Sequence, residues 1–168
     1  VIQMVPASKG SAVVTLPTDT QILITREFNA PAPLVFRVFT EPELIQRWWA
    51  GRHGTVTSVE VDLRVGGSWR YVMEANGGFE VAFHGEYHEV VPDQRLVNTE
   101  IFEGVPETDA PPALCTYTFT EHDDTTTLTM LTEVPDKATR DAIIDSGMES
   151  GMQDGYDIAE EIAVELAG

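Results

Sequence analysis

From residue 55 to residue 134 the chain reads as strand after strand, with no helical pattern in between. That run constrains the fold most. Strands joined by a few residues pair antiparallel, whereas a parallel pair needs a crossover of about a dozen residues or more. "TVTSVEVDLRV" (55–65) alternates, with Val59, Val61, Leu63 and Val65 on one face. "GGSWRYVME" (66–74) groups Trp69, Tyr71 and Met73 opposite Arg70, Val72 and Glu74. "FEVAFHGEYHEVV" (79–91) follows an "NGG" turn, and "RLVNTEIFE" (95–103) follows "PDQ". After the acidic, proline-containing "GVPETDAPP" come "ALCTYTFTE" and "TTTLTMLTEV", a hairpin joined by "HDD" at 122–124.

A long sheet needs a cover, and the last segment supplies it. The periodicity predicts one long helix over about 137–166. With Ile144 as centre, Met148, Gly151, Gly155, Ile158, Ala159, Ile162 and Leu166 fall within about 60° at 100° per residue. Glu149, Ser150, Gln153, Asp154, Asp157, Glu160, Glu161 and Glu165 lie on the other side, toward solvent. Upstream, "QILITREF" (21–28) alternates as a first strand, and residues 1–20 read as a loose arm with room for one short strand. Asn29 is placed to cap a helix over "APLVFRVF"; Thr40 and Glu43 have capping-box spacing for a second short helix ending at "QRWWAG". The expected class is α+β, an antiparallel sheet packed on a long C-terminal helix, with residues 21–168 as a single domain.

Charge narrows the partners. The chain carries 28 acidic and 10 basic residues, net −18. Such a surface repels phosphate backbones and anionic membranes, so neither nucleic acid nor a bilayer is an expected partner. No apolar run approaches the roughly 20 residues of a membrane span, and no signal-peptide pattern opens the chain. The lone Cys115 excludes an internal disulfide, which fits a reducing cytoplasm, the expected location. A homodimer is left open.

Chemistry-bearing motifs are sparse. His84, Glu86 and His88 alternate on one strand face, but Phe83, Gly85 and Tyr87 occupy the other, so the histidines should face solvent; no metal is expected. There is no G-x-S-x-G elbow, and Cys115 lies in mid-strand without an identifiable base. "VGGSW" is not a dinucleotide fingerprint and no phosphate loop occurs, so no cofactor is expected. Glu100, Glu133 and Asp62 are the candidates for a buried acid.

Two features ask for space rather than for chemistry. Gly147, Gly151 and Gly155 recur every fourth residue in the closing helix, each costing about 1 kcal/mol relative to alanine. Either they let the helix press on the sheet or they leave room for a ligand. The aromatic strand faces (Trp69, Tyr71 and Met73; Phe83 and Tyr87; Cys115, Tyr117 and Phe119) put several polar ring tips inside, and these need partners.

The stretches "FNAPAPLVFRVFTEPELIQRWWAG", "DLRVGGSWRYVM", "GEYHEVVPDQRLVNTE" and "SGMESGMQDGYDIAEEIA" resemble the family of activator-of-heat-shock-protein-90-ATPase homologues, of the START-like (SRPBCC) superfamily. The resemblance runs over about 21–166 in order. It implies a helix-grip fold, a curved sheet wrapped around the C-terminal helix with a ligand cavity between them. It also places "WW" at the cavity rim, one indole anchoring its short helix to the sheet and the other overlooking the mouth. The lining expected on this basis is Trp48, Trp49, Trp69, Tyr71, Met73, Phe83, Tyr87, Tyr117 and Phe119, with Met148, Gly151, Met152 and Gly155 on the helix. The family's D-x-R-x-G-G stretch falls on Asp62, Arg64, Gly66 and Gly67, where an ion pair or a turn-fixing role is the default.

The leading expectation is a non-enzymatic module binding a small hydrophobic or amphipathic molecule. The alternatives are an enzyme of cyclase or dehydratase type acting on aromatic or polyketide-like molecules, and a co-chaperone of a heat-shock protein 90 ATPase. The last is weakened by a chain too short for the additional N-terminal domain of the eukaryotic activators.

Overall fold

Turn chemistry sets the meander. Asp123 and Asp124 both take positive φ (51° and 64°), the conformation of a two-residue hairpin turn, and Asp93 (66°) and Gly78 (83°) close two others. The computed structural model describes residues 11–104, 106 and 110–168. Its order is β1 (Val13–Thr15), β2 (Gln21–Phe28), α1 (Ala32–Thr40), α2 (Pro42–Trp48), β3 (Gly54–Val61), β4 (Ser68–Ala75), β5 (Glu80–Val91), β6 (Arg95–Phe102), β7 (Ala113–His122), β8 (Thr125–Glu133), α3 (Lys137–Asp145) and α4 (Met148–Ala167). The strands form one antiparallel sheet in the order β1-β2-β8-β7-β6-β5-β4-β3. Register shifts at Val56/Ser58 and Tyr87/Glu89 break the ladder, and such bulges bend a sheet. The result is the curved α+β helix-grip architecture. Among the described residues, no helix is long and apolar enough to cross a membrane.

The closing helix is two helices. Gly147 takes φ +83° between α3 and α4, and the Ser146 hydroxyl and amide bond back to Ile143. A left-handed glycine just past a helix end is the usual stop signal, and here it resets the rotation of α4 relative to α3. The predicted arc, phased on Ile144 in α3, is therefore turned away from the real one. On α4 the buried residues are Gly155, Tyr156, Ala159, Glu160, Ile162 and Ala163. Glu160, expected to face solvent, has no exposed surface. Gln153, also expected outward, exchanges two hydrogen bonds with the backbone of Ala12 (3.1 and 2.7 Å), so residue 12 is tied to the helix rather than loose.

Three local expectations are corrected. Asn29 does not cap α1; Pro31 holds that position, pre-set in extended backbone. Thr40 closes α1, donating to the Phe36 carbonyl (2.7 Å), and Glu41 precedes α2 without a side-chain cap. Strand β3 ends at Val61, and Leu63 and Val65 lie exposed in a turn. That turn is held by Gly66 at φ +83° and by paired bonds between Gly66, Gly67 and the Tyr87 backbone (2.8 and 2.9 Å). Asp62 and Arg64 form an exposed ion pair there (2.9 Å).

The core centres where α1, α2 and α4 meet. Phe28, Phe39, Trp48 and Tyr156 pack edge to face or tilted with centroids 4.8–6.0 Å apart, and Phe36 and Phe119 extend the group. Beside it Arg26 leaves β2 and reaches α4, donating to the Tyr156 carbonyl (3.1 Å), Asp157 (2.8 Å) and Glu160 (3.1 Å). Glu160 also accepts from the Asn29 amide (2.8 Å), tying the β2–α1 connection to the same helix.

Candidate functional site

Arg26 identifies the side of the sheet that faces α4, and the register carries that side across the strands, because directly opposed residues share a face. In β2–β8–β7, Arg26 opposes Leu128, which opposes Phe119; Ile22 opposes Thr132, which opposes Cys115. Cys115 opposes Asn98, which opposes Tyr87; Phe83 opposes Tyr71, and Gly85 opposes Trp69. Residues far apart in sequence thus line one surface.

The two adjacent indoles part company. Trp48 is 8 % exposed, and its Nε1 donates to the Val38 carbonyl (2.8 Å). It anchors α2 to α1 and α4 rather than to the sheet. Trp49 lies across the sheet, edge-on to Tyr71 (5.4 Å) and Phe83 (5.8 Å). Trp69 packs on Tyr71 (4.7 Å) and spans Gly85 to donate to the Thr99 carbonyl (3.1 Å). A Cβ at Gly85 would sit 2.7 Å from that indole nitrogen, so only glycine lets the ring lie there.

Below these rings lies a polar floor. The Cys115 thiol donates to Glu100 (3.6 Å) and lies 3.8 Å from the Thr132 hydroxyl. Burial raises the Glu100 carboxyl above its ordinary value, against the lowering effect of the thiol. Burial also pushes Cys115 well up, with Glu100 adding to it, so the thiol stays protonated and is not a nucleophile. Burial raises Tyr71 well above its usual value, with Tyr87 adding to it, and raises Tyr87 to about 12 against the lowering effect of Tyr71. Burial likewise raises Tyr117. Yet Tyr71, Glu100 and Tyr117 all keep part of their surface accessible. Asn98 is 7 % exposed, and its Oδ1 is buried with no hydrogen-bond partner among the described residues. The floor is made of neutral donors and acceptors around one acid. None of its groups is cationic.

Of the other residues expected at the site, Met148, Gly151 and Met152 lie on the first turns of α4, and the rest are placed as follows. Phe119 packs under α1 against Phe36 (5.4 Å) and Phe39 (6.0 Å). Met73 pairs with Val56 and Val81 toward the end of β4. Met148 and Met152 are partly buried over the core. A Cβ on Gly155 would stand 3.2 Å from the Trp48 carbonyl, so the helix rests on α2 there. A Cβ on Gly151 would meet only the His53 ring, at 3.8 Å. On the far side of the sheet His84 (2.8 Å) and Arg70 (2.9 Å) share Glu103, whose carboxyl they hold down at about 2, the Arg70 bonds contributing most. Glu133 accepts from the Gln21 side chain (3.1 Å). Asn98 was not among the residues expected at the site. Its signal was an amide in mid-strand, in step with Leu96, where the pattern calls for an apolar residue.

This geometry defines a class: a curved antiparallel sheet gripping a long helix, with aromatic and neutral polar side chains on the helix-facing side of the sheet. The model of the Activator of Hsp90 ATPase homolog 1-like protein family matches residues 29–163, and the chain belongs to that family. Among curated proteins none matches it. Solved structures share the fold: a protein from Rhodobacter sphaeroides superposes with a TM-score of 0.81 at 22% identity, covering 94% of this chain and 98% of its own. Protein Ms6760 from Mycobacterium smegmatis gives 0.78 at 27% identity, with 92% and 96% covered. An AHSA1-like protein from Aeromonas hydrophila gives 0.61 at 22%, with 87% and 94% covered.

Proposed function

We propose that this chain binds a small amphipathic molecule between the helix-facing side of β4–β7 and the first turns of α4. One observation carries the reading: Tyr71, Glu100 and Tyr117 are desolvated enough to shift their protonation, yet each retains accessible surface. Groups in a dry, filled core are shifted as well but keep no accessible surface. Groups around an internal space of at least water size keep some surface while the surrounding protein excludes bulk solvent. The aromatic walls suit an apolar body and the floor suits a polar end.

Trp49 is the built-in reporter, since its ring meets Tyr71 and Phe83 where the ligand would lie. Saturable quenching or shifting of tryptophan emission by flat aromatic molecules is expected, and Trp49→Phe should remove most of the change. Native mass spectrometry of freshly purified protein should show a co-purifying small molecule. No saturable response across aromatic hydroxyls, flavonoids and fatty acids, together with bare protein mass, would sink the reading.

Membership of a family described as homologous to an Hsp90 ATPase activator supports a second reading, regulation of such an ATPase. A ligand-binding module is expected to leave the ATPase rate of a purified bacterial homologue unchanged. Dose-dependent stimulation would put the second reading first.

A further inference from the structure

We infer that Asn98, Glu100 and Cys115 form a hydrogen-bonding subsite that selects an uncharged, hydroxyl-bearing ring, a phenol or its like, and rejects carboxylates. This rests on the ligand-binding reading above and adds the chemistry of the ligand.

Asn98 is the selective group. It sits in mid-strand, opposed by Tyr87 on one side and Cys115 on the other, and its Oδ1 is buried without a partner among the described residues. Leaving a buried amide oxygen unsatisfied is destabilising, and a ligand donor that reached it would relieve that cost. A carboxylate has no donor to offer. A hydroxyl both donates and accepts, so it satisfies the amide whichever end faces it. Glu100 lies at the same floor, bonded to the Cys115 thiol. A ligand carboxylate there would place two acids together, and like charges at close range disfavour ionisation of both. No floor group is a cation that could offset this. Arg26, on the same side of the sheet, is committed to Asp157 and Glu160. Edge-to-face packing of Trp49 on Tyr71 and Phe83 makes the walls suited to a flat ring.

The test uses one ring with three ends: 2-naphthol, 2-naphthoate and naphthalene, titrated into the full chain at neutral pH by calorimetry and tryptophan emission. Naphthol should bind saturably and naphthoate at least about tenfold more weakly. Asn98→Leu should lower naphthol affinity by about tenfold while leaving naphthalene affinity within about twofold of the parent. Naphthoate binding as tightly as naphthol overturns the subsite and leaves the ligand-binding reading standing. So does an Asn98→Leu protein that holds naphthol unchanged. Should that variant not fold, the naphthol–naphthoate comparison on the parent protein decides alone. Binding of none of the three sinks the ligand-binding reading and the subsite with it.

Discussion

Glu100 shows how one residue can carry a cost that its neighbours reveal. Its carboxyl is raised chiefly by burial, and the folded protein therefore holds a proton that the unfolded chain releases. A raised acid lowers stability as pH climbs from its unfolded value, 4.5, through its folded one, and the full penalty remains above that. Glu100→Gln keeps the shape and removes the charge. The variant should melt higher than the parent at pH 7–8, with the advantage shrinking to nothing below about pH 4. Thermal melts across that range check it; a variant equally stable at both ends would contradict a buried, destabilised carboxylate at this position. Candidate acids could be named from the sequence alone, but Glu100 separates from Glu133 and Asp62 only through surroundings. Cys115 and Tyr117 on β7, Tyr71 on β4 and Tyr156 on α4 supply those surroundings, and no local pattern encodes which acid they enclose.

At the scale of the element, the three glycines of the last segment do three different things. Gly147 sits at φ +83° and ends α3, so Gly147→Ala should cost about 1–2 kcal/mol in backbone strain. Gly151 has room, so Gly151→Ala should gain about 0.5–1 kcal/mol from helix propensity. Gly155 stands against the Trp48 carbonyl, and Gly155→Ala should fall below Gly151→Ala because α2 must give way. Urea midpoints of the three variants should rank Gly151 first and Gly147 last; another order refutes the assignment. Spacing of four made the glycines look alike. A left-handed φ, a loop contact and a helix contact are indistinguishable in one dimension. The strands were more legible because period-two alternation and turn residues are local properties. Even so, the pattern carries β3 four residues too far, since Leu63 and Val65 continue an alternation that the Gly66 turn interrupts.

On the scale of the whole molecule, the sheet holds α4 through a buried ionic contact as well as through apolar packing. Arg26 is 2 % exposed and Glu160 has no exposed surface, so each needs the other. Removing one partner of a buried pair costs about 3–5 kcal/mol, because the remaining charge stays desolvated. Asp157 still faces Arg26, which places Glu160→Ala at the low end, about 3 kcal/mol. Arg26→Met with Glu160→Leu should recover most of that loss, since an apolar pair of similar volume carries no desolvation penalty. Chemical denaturation of the single and double variants measures both. A single variant within about 0.5 kcal/mol of the parent would show the contact to be incidental.

The sequence by itself determined the order of elements up to the closing helical segment, the antiparallel pairing, the hairpin turns and the presence of a helical cover. Each comes from periodicity and turn residues within a few positions of one another. Only the tertiary structure decided that Trp48 anchors and Trp49 overlooks the sheet, that α4 is turned to bury Glu160, and that Asn98, Glu100 and Cys115 meet. A pattern tells which residues share a face, but covering that face takes other elements, and their placement rests on contacts between distant strands and on one glycine that resets the phase of the last helix.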